Sequence, residues 1–171
     1  GKKLEEEQQI LALSKGMRLM INAVRDGSFA LSKDLSDRIH GVVAKHEAIE
    51  SGSFRGEGAV HGGGSVRLAG GGTVQGGPTG EAGEQLQADY ANLLASLGAL
   101  SDPRARALVY FASATRSQFY FDGNKRTARI MMTGALIQSG FEPINIPYAR
   151  QEEFNVALDE LFRTNRNHTC L

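Results

Sequence analysis

A single cysteine, Cys170, has no second thiol in the chain to pair with. No internal disulfide framework can therefore stabilise this protein, and a reducing, cytoplasmic setting is expected. No charge of one sign dominates: 19 basic and 19 acidic residues cancel, which removes the global field that would argue for a nucleic-acid or membrane partner. No apolar run approaches the roughly 20 residues needed to span a bilayer. The N-terminus, GKKLEEEQQILALSKGMRLM, is too charged for a signal peptide. Tryptophan is also absent, but that excludes nothing. At 171 residues the chain is expected to form a single domain, 1–171, with a core of its own.

Apolar periodicity then points to a mainly α protein. Leu4, Leu11, Met17, Met20, Ile21 and Val24 recur at helical spacing from about Lys3 to Arg25, and Asp26-Gly27 stops them. Ser32 is a candidate N-cap for a second helix carrying Leu35, Ile39, Val42, Val43 and Ile49. A third runs from about Glu84 to Leu97. Asp102-Pro103, a cap followed by proline at the first helical position, opens a fourth to about Ser117. A fifth ends near Gly140, and a last one, about 151–163, carries Phe154, Ala157, Leu158, Leu161 and Phe162.

The interruption lies between residues 52 and 83, which hold thirteen of the 21 glycines. There GGGSV (62–66) and GGGTV (70–74) repeat at a spacing of eight. Short β-branched segments between glycine-rich turns read as a hairpin or flap rather than a packed element. A disordered linker is the competing reading for 69–83. For 53–61, where Phe54 and Val60 offer something to pack, a short ordered hairpin is expected.

The most informative stretch is Gln118–Arg129, QFYFDGNKRTAR. An acid (Asp122) and a turn pair (Gly123, Asn124) precede three cations, Lys125, Arg126 and Arg129, at the start of a helical pattern. Taken singly, each has a plain explanation as a turn residue or a solvated helix face. Together they do not. Cations in the first turn oppose the positive end of the helix dipole, at about 0.3–1 kcal/mol each. No Asp or Glu follows Asp122 until Glu142. The arrangement makes sense if an anion occupies the unpaired amides of that helix end, with Arg126 and Arg129 sharing one face. It reads as a polyphosphate cradle, 118–129, in which Asp122 could hold a divalent cation against phosphate oxygens. Phe119, Tyr120 and Phe121 would support the loop from beneath or line its wall.

These residues resemble the signature of the Fic domain family, HPFx[DE]GN[GK]RxxR, with Tyr120 at the phenylalanine position. The segment from Leu31 to Gly63 is likewise similar to the family's helix and glycine-rich FR…GG flap, and the likeness covers about residues 20–165. The resemblance implies a Fic-type helical bundle with a small β-hairpin flap next to the active-site loop. It also implies Mg²⁺ at Asp122, ATP as donor with its phosphates on Gly123, Asn124, Lys125, Arg126 and Arg129, and a target protein offering a Ser, Thr or Tyr hydroxyl. The flap near 53–61 would hold that target by strand addition. A homodimer or an antitoxin-like regulatory partner is compatible with the likeness.

Three departures bear on function. The signature's histidine, which resembles a general base, is here Gln118. A carboxamide has no basic lone pair at neutral pH, so Gln118 could position a hydroxyl but not deprotonate it; losing a general base commonly costs about 10²–10⁴-fold. His40, His46 and His168 lie outside the motif, as does His61, whose place in the flap makes it the only conceivable substitute. Lys125 stands where glycine is commoner, as in Doc-type toxins, where it goes with phosphorylation. Ser53, Glu57 and Gly58 formally fit the family's inhibitory [ST]xxxE[GN] pattern, but GSFRGEGAV does not read as helix. Four readings remain: an AMP transferase impaired at Gln118, an inactive nucleotide-binding and interaction module, a Doc-like kinase, or a competent site in which Gln118 is an introduced change.

Overall fold

A computed structural model describes residues 1–67 and 70–142; the expected helix over 151–163 and Cys170 lie outside the described residues. Helix α1 runs Lys2–Asp26, α2 Lys33–Val43, α3 Glu84–Leu97, α4 Pro103–Ser117 and α5 Asn124–Gln138. Two three-residue strands, β1 (Ser65–Arg67) and β2 (Thr73–Gln75), lie between α2 and α3. No helix among the described residues is long and apolar enough to cross a membrane.

The helix boundaries follow from local chemistry. Ser32 is extended, and its hydroxyl accepts the Leu35 N–H to start α2. Asp102 accepts the Arg104 N–H ahead of Pro103 and so starts α4. Gly27 closes α1 in the left-handed conformation. Helix α5 is the central element, packing along α4 and against α1 and α2, while α3 covers the other side of α4. Met20, Ile39, Leu86, Tyr110, Ile130 and Met131 are fully or almost fully buried among them.

Gly134 explains how closely α1 and α5 approach. A Cβ there would sit 2.9 Å from Met20 Cγ and overlap the ring of Phe29. The bare helix backbone is the seat for that ring.

Three expectations are corrected. Only the second half of α1 is core: its buried residues are Ala12, Gly16, Met20 and Ala23, whereas Leu4 and Leu11 are 57% and 61% exposed. Helix α2 ends at Val43 and not at Ile49, which is 68% exposed. A turn at Ala44, closed by the Glu47 and Ala48 N–H groups on the Ala44 carbonyl, redirects the chain there. Residues 53–61 contain turns and no strand. The strands come instead from the two repeats, paired antiparallel in the register Ser65–Gln75, Val66–Val74 and Arg67–Thr73.

Phe54 explains the 53–61 result, because its side chain is needed in the core. Its ring stacks on Phe119 at 4.8 Å and meets Tyr120 edge-on at 5.1 Å, so this glycine-rich segment is drawn into the helical bundle. Aromatic pairs of this kind contribute about 0.5–1.5 kcal/mol beyond burial.

Gly134→Ala is expected to destabilise the domain by about 1–3 kcal/mol, since the Phe29 ring has no room to retreat. Urea unfolding measures this, and an unchanged midpoint would contradict the packing described.

Candidate functional site

The turn between α4 and α5 is closed by the side chain of Asn124. Its Oδ1 accepts the Tyr120 N–H at 2.9 Å, and its Nδ2 donates to the Tyr120 carbonyl at 2.7 Å and to Gln118 Oε1 at 3.1 Å. One carboxamide thus satisfies both main-chain groups of Tyr120, and the residue is 6% exposed. The sequence assigned the Gly123-Asn124 backbone to phosphate; the Asn124 side chain holds the loop and leaves that backbone as its only group for a ligand.

Gln118 is similarly occupied. It lies in the left-handed region at φ 51°, ending α4. That conformation is costly for a side-chain-bearing residue and is retained only when its surroundings enforce it. Its Nε2 donates to the Thr115 carbonyl at 2.6 Å while its Oε1 takes the Asn124 bond. In the protein without ligand this amide caps a helix and closes a loop.

Arg55 ties the glycine-rich segment to this turn. Its Nε donates to the Gln118 carbonyl at 2.5 Å, and its two terminal nitrogens reach the carbonyls of Gly63, Gly77 and Ser117. The residue is 2% exposed. Burial lowers its pKa from the usual value, yet a guanidinium keeps its charge in proteins. The carbonyl end of α4, with its partial negative charge, is the compensation.

At the start of α5, Gly123 has φ 74° and gives the helix no side-chain cap. Two needs make it glycine: the left-handed conformation, and the 3.0 Å that would separate its Cβ from that of Ala44. Asp122 is exposed, and its Oδ1 accepts the Gly123 N–H at 2.8 Å. Among the described residues no group of three or more His, Cys, Asp or Glu side chains could hold a metal ion. A single carboxylate does fit Mg²⁺, which commonly binds one or two protein carboxylates and completes its shell with water and phosphate oxygens.

The cations diverge. Arg126 makes a two-pronged ion pair with Glu47, at 2.8 and 2.5 Å, and this bonding raises its pKa against the opposing effect of burial. Arg129 is exposed, its guanidinium carbon 6.0 Å from the Phe111 ring centre. Among the described residues the two arginines thus have different neighbours. Lys125 is exposed. Phe119 and Tyr120 lie in the core, and Phe121 is half-buried.

A cavity of about 490 Å³ opens beside the turn, lined by Asp122 and Glu47 together with Glu5, Gln8 and His46, among others. Of the motif residues only Asp122 reaches it.

Sequence reasoning missed Glu47, Arg55 and His40 as parts of this site. Glu47 and Arg55 lie 79 and 63 positions from the motif residues they hold, and no spacing rule reports such a contact. His40 is fully buried; its Nδ1 accepts the Gly52 N–H at 2.9 Å and its Nε2 lies 2.7 Å from the Asp122 carbonyl. Lys33 likewise lies outside the motif. It bridges Asp37 at 2.6 Å and Glu57 at 3.0 Å and sits 4.1 Å above the Phe54 ring. Glu57 also takes the Phe54 N–H and Gln87 Nε2–H. His61, in the flap region, is exposed.

No family model and no curated protein matches this sequence. Solved structures do match its fold. A Fic domain containing signalling protein from Bacteroides thetaiotaomicron superposes with a TM-score of 0.72 at 18% identity, over 91% of this chain and 57% of that one. Fic-1 from C. elegans gives 0.70 at 19% identity, over 92% and 44%. A Fic family protein from Desulfovibrio desulfuricans gives 0.61 at 16% identity, over 90% and 50%. The chain has the Fic-domain fold and spans roughly half the length of these proteins.

Burial, opposed in part by the Asp122 carbonyl bond, pushes the His40 pKa down from 6.5 to about 4. Between those values the unfolded chain takes up a proton that the folded one refuses. The His40 contribution to stability is thus complete above pH 6.5 and is lost as pH falls towards 4, amounting to about 3 kcal/mol. Urea midpoints measured from pH 7 to 4.5 should fall accordingly. A flat profile over that range would contradict the burial of this ring.

Proposed function

We propose that this chain is a Fic-type nucleotide-binding protein of the AMP-transferring class, impaired in chemistry by Gln118. One observation carries the proposal: on a Fic-type fold, the turn Asp122–Gly123 leads into an α5 that begins without a side-chain cap, with Arg126 one turn inside it. Backbone amides and a positive helix end favour phosphate, and a guanidinium matches phosphate geometry two-pronged.

In this reading Asn124 offers its main-chain amide, and Gly123 offers its own once Asp122 Oδ1 turns to Mg²⁺; Lys125, Arg126 and Arg129 supply positive charge. The ion would neutralise phosphate charge and orient the ATP. A Ser, Thr or Tyr hydroxyl of a target protein forms a bond to the α-phosphorus. The bond to the bridging oxygen breaks and pyrophosphate leaves. The hydroxyl proton passes to water, because the Gln118 carboxamide has no basic lone pair at neutral pH. Positioning and charge stabilisation carry much of phosphate-transfer catalysis, so the reading does not require a base for residual turnover. A target strand would add beside the glycine-rich segment.

The engaged Gln118 amide also favours a second reading: a binding module that holds nucleotide and partner without chemistry. A Doc-like kinase rests on Lys125 alone.

Glu47 has a place in either of the first two readings. Its carboxylate occupies Arg126 in the position a phosphate would take, and so competes with the ligand. Glu47→Gln is expected to tighten Mg²⁺-ATP binding a few-fold, by about 0.2–1 kcal/mol. Arg126→Glu should abolish binding, whereas Lys3→Glu should not. Calorimetry with Mg²⁺-ATP measures all three, and absence of binding by the unaltered protein sinks both readings. Incubation with α-labelled and γ-labelled ATP separates AMP transfer from phosphoryl transfer. Gln118→His should raise α-label incorporation by about 10²-fold or more; no gain, with ATP still bound, leaves the inactive module.

A further inference from the structure

The geometry points to His40 as the positioning residue of the motif turn: its ring fixes the Asp122–Gly123 peptide, and through it both the Asp122 carboxylate and the first amides of α5. This assignment takes the nucleotide reading as the purpose of the turn, but the positioning itself is a property of the protein without ligand.

The protonation of the ring follows from its neighbours. The Gly52 N–H points at Nδ1 at 2.9 Å, and a donor there requires Nδ1 to be the unprotonated nitrogen. Nε2 then carries the hydrogen and donates it to the Asp122 carbonyl 2.7 Å away. Because the peptide unit is planar and trans, fixing the Asp122 C=O against α2 turns the Gly123 N–H the opposite way. That N–H is the group that holds Asp122 Oδ1, at 2.8 Å. One imidazole hydrogen bond therefore sets the rotamer of the carboxylate and the left-handed entry of Gly123 into α5.

The ring is held firmly enough to do this. It is fully buried and lies face to face with Tyr120, 3.8 Å between centres and 8° from parallel. The Tyr120 hydroxyl is anchored on Ser36 at 2.7 Å and on Asp37 at 2.8 Å, both on α2. The ring also packs on the turn itself: a Cβ at Gly123 would lie 3.6 Å from His40 Cδ2. The clamp spans 82 residues of sequence and joins α2 to the loop without belonging to the motif.

Two variants separate positioning from simple packing. His40→Phe keeps a stacking ring and removes both hydrogen bonds; His40→Gln restores a donor near the Asp122 carbonyl. In the protein without ligand, amide hydrogen exchange at Gly123 and Asn124 should quicken about tenfold or more in the Phe variant, with amides late in α5, such as that of Ile137, unchanged. Mg²⁺-ATP affinity should fall about tenfold, the usual scale for losing a residue that orients a ligand-binding group. The Gln variant should recover most of both effects. Exchange that quickens uniformly along α5, turn amides left untouched by the Phe variant, or no recovery with Gln overturns the assignment. Should the Phe variant fail to fold, the ¹⁵N spectrum of the unaltered imidazole decides instead, with a proton on Nδ1 rejecting the assignment and one on Nε2 upholding it. Failure of the unaltered protein to bind Mg²⁺-ATP rejects the nucleotide reading alone, while the exchange measurement still decides the role of His40.

Discussion

The site depends on a buried guanidinium whose hydrogen-bond partners are all backbone carbonyls. Arg55 reaches the carbonyls of Ser117 and Gln118 at the end of α4 and those of Gly63 and Gly77 on either side of the small hairpin. Its own N–H donates to the Phe119 carbonyl at 2.7 Å. A buried charge of this kind is tolerable only where oriented dipoles replace the water it has lost. The carbonyl end of a helix meets that need. Arg55 therefore sits where α4 stops, and the glycine-rich segment and the motif turn meet there as well.

Glycine follows from this arrangement. A Cβ at Gly64 would lie 2.7 Å from the Arg55 guanidinium, and one at Gly76 would lie 2.8 Å from the Ser117 carbonyl oxygen. The composition of 52–83, which looks like linker sequence, is at these positions a condition for close packing around a buried side chain. The same segment delivers Phe54 into the aromatic cluster. Flap, turn and core are thus coupled, and a change to one is felt by the others.

The coupling also bears on Gln118. In this fold Gln118 is a helix terminus held in a costly conformation by Asn124, Thr115 and Arg55. A carboxamide can bond in both directions at once, and here it does so within its own chain. Both ends of its amide hold the loop in shape. Glu47 likewise engages Arg126, in a two-pronged ion pair.

Much of the local structure was legible in the sequence. The caps at Ser32 and Asp102, the span of α3, and the stop at Gly27 follow from side-chain and backbone chemistry within four residues. The motif 118–129 also announced a turn feeding a helix. What the sequence alone could not decide was the use of each side chain. The Asn124 side chain turns inward; Arg126 meets Glu47; Lys33 bridges two acids; Phe54 is core. These outcomes turn on contacts between residues tens of positions apart, whose geometry exists only once α2, α4 and α5 are packed. Periodicity and capping act along the chain and so are written in it, whereas partnership and burial are properties of surfaces brought together by folding.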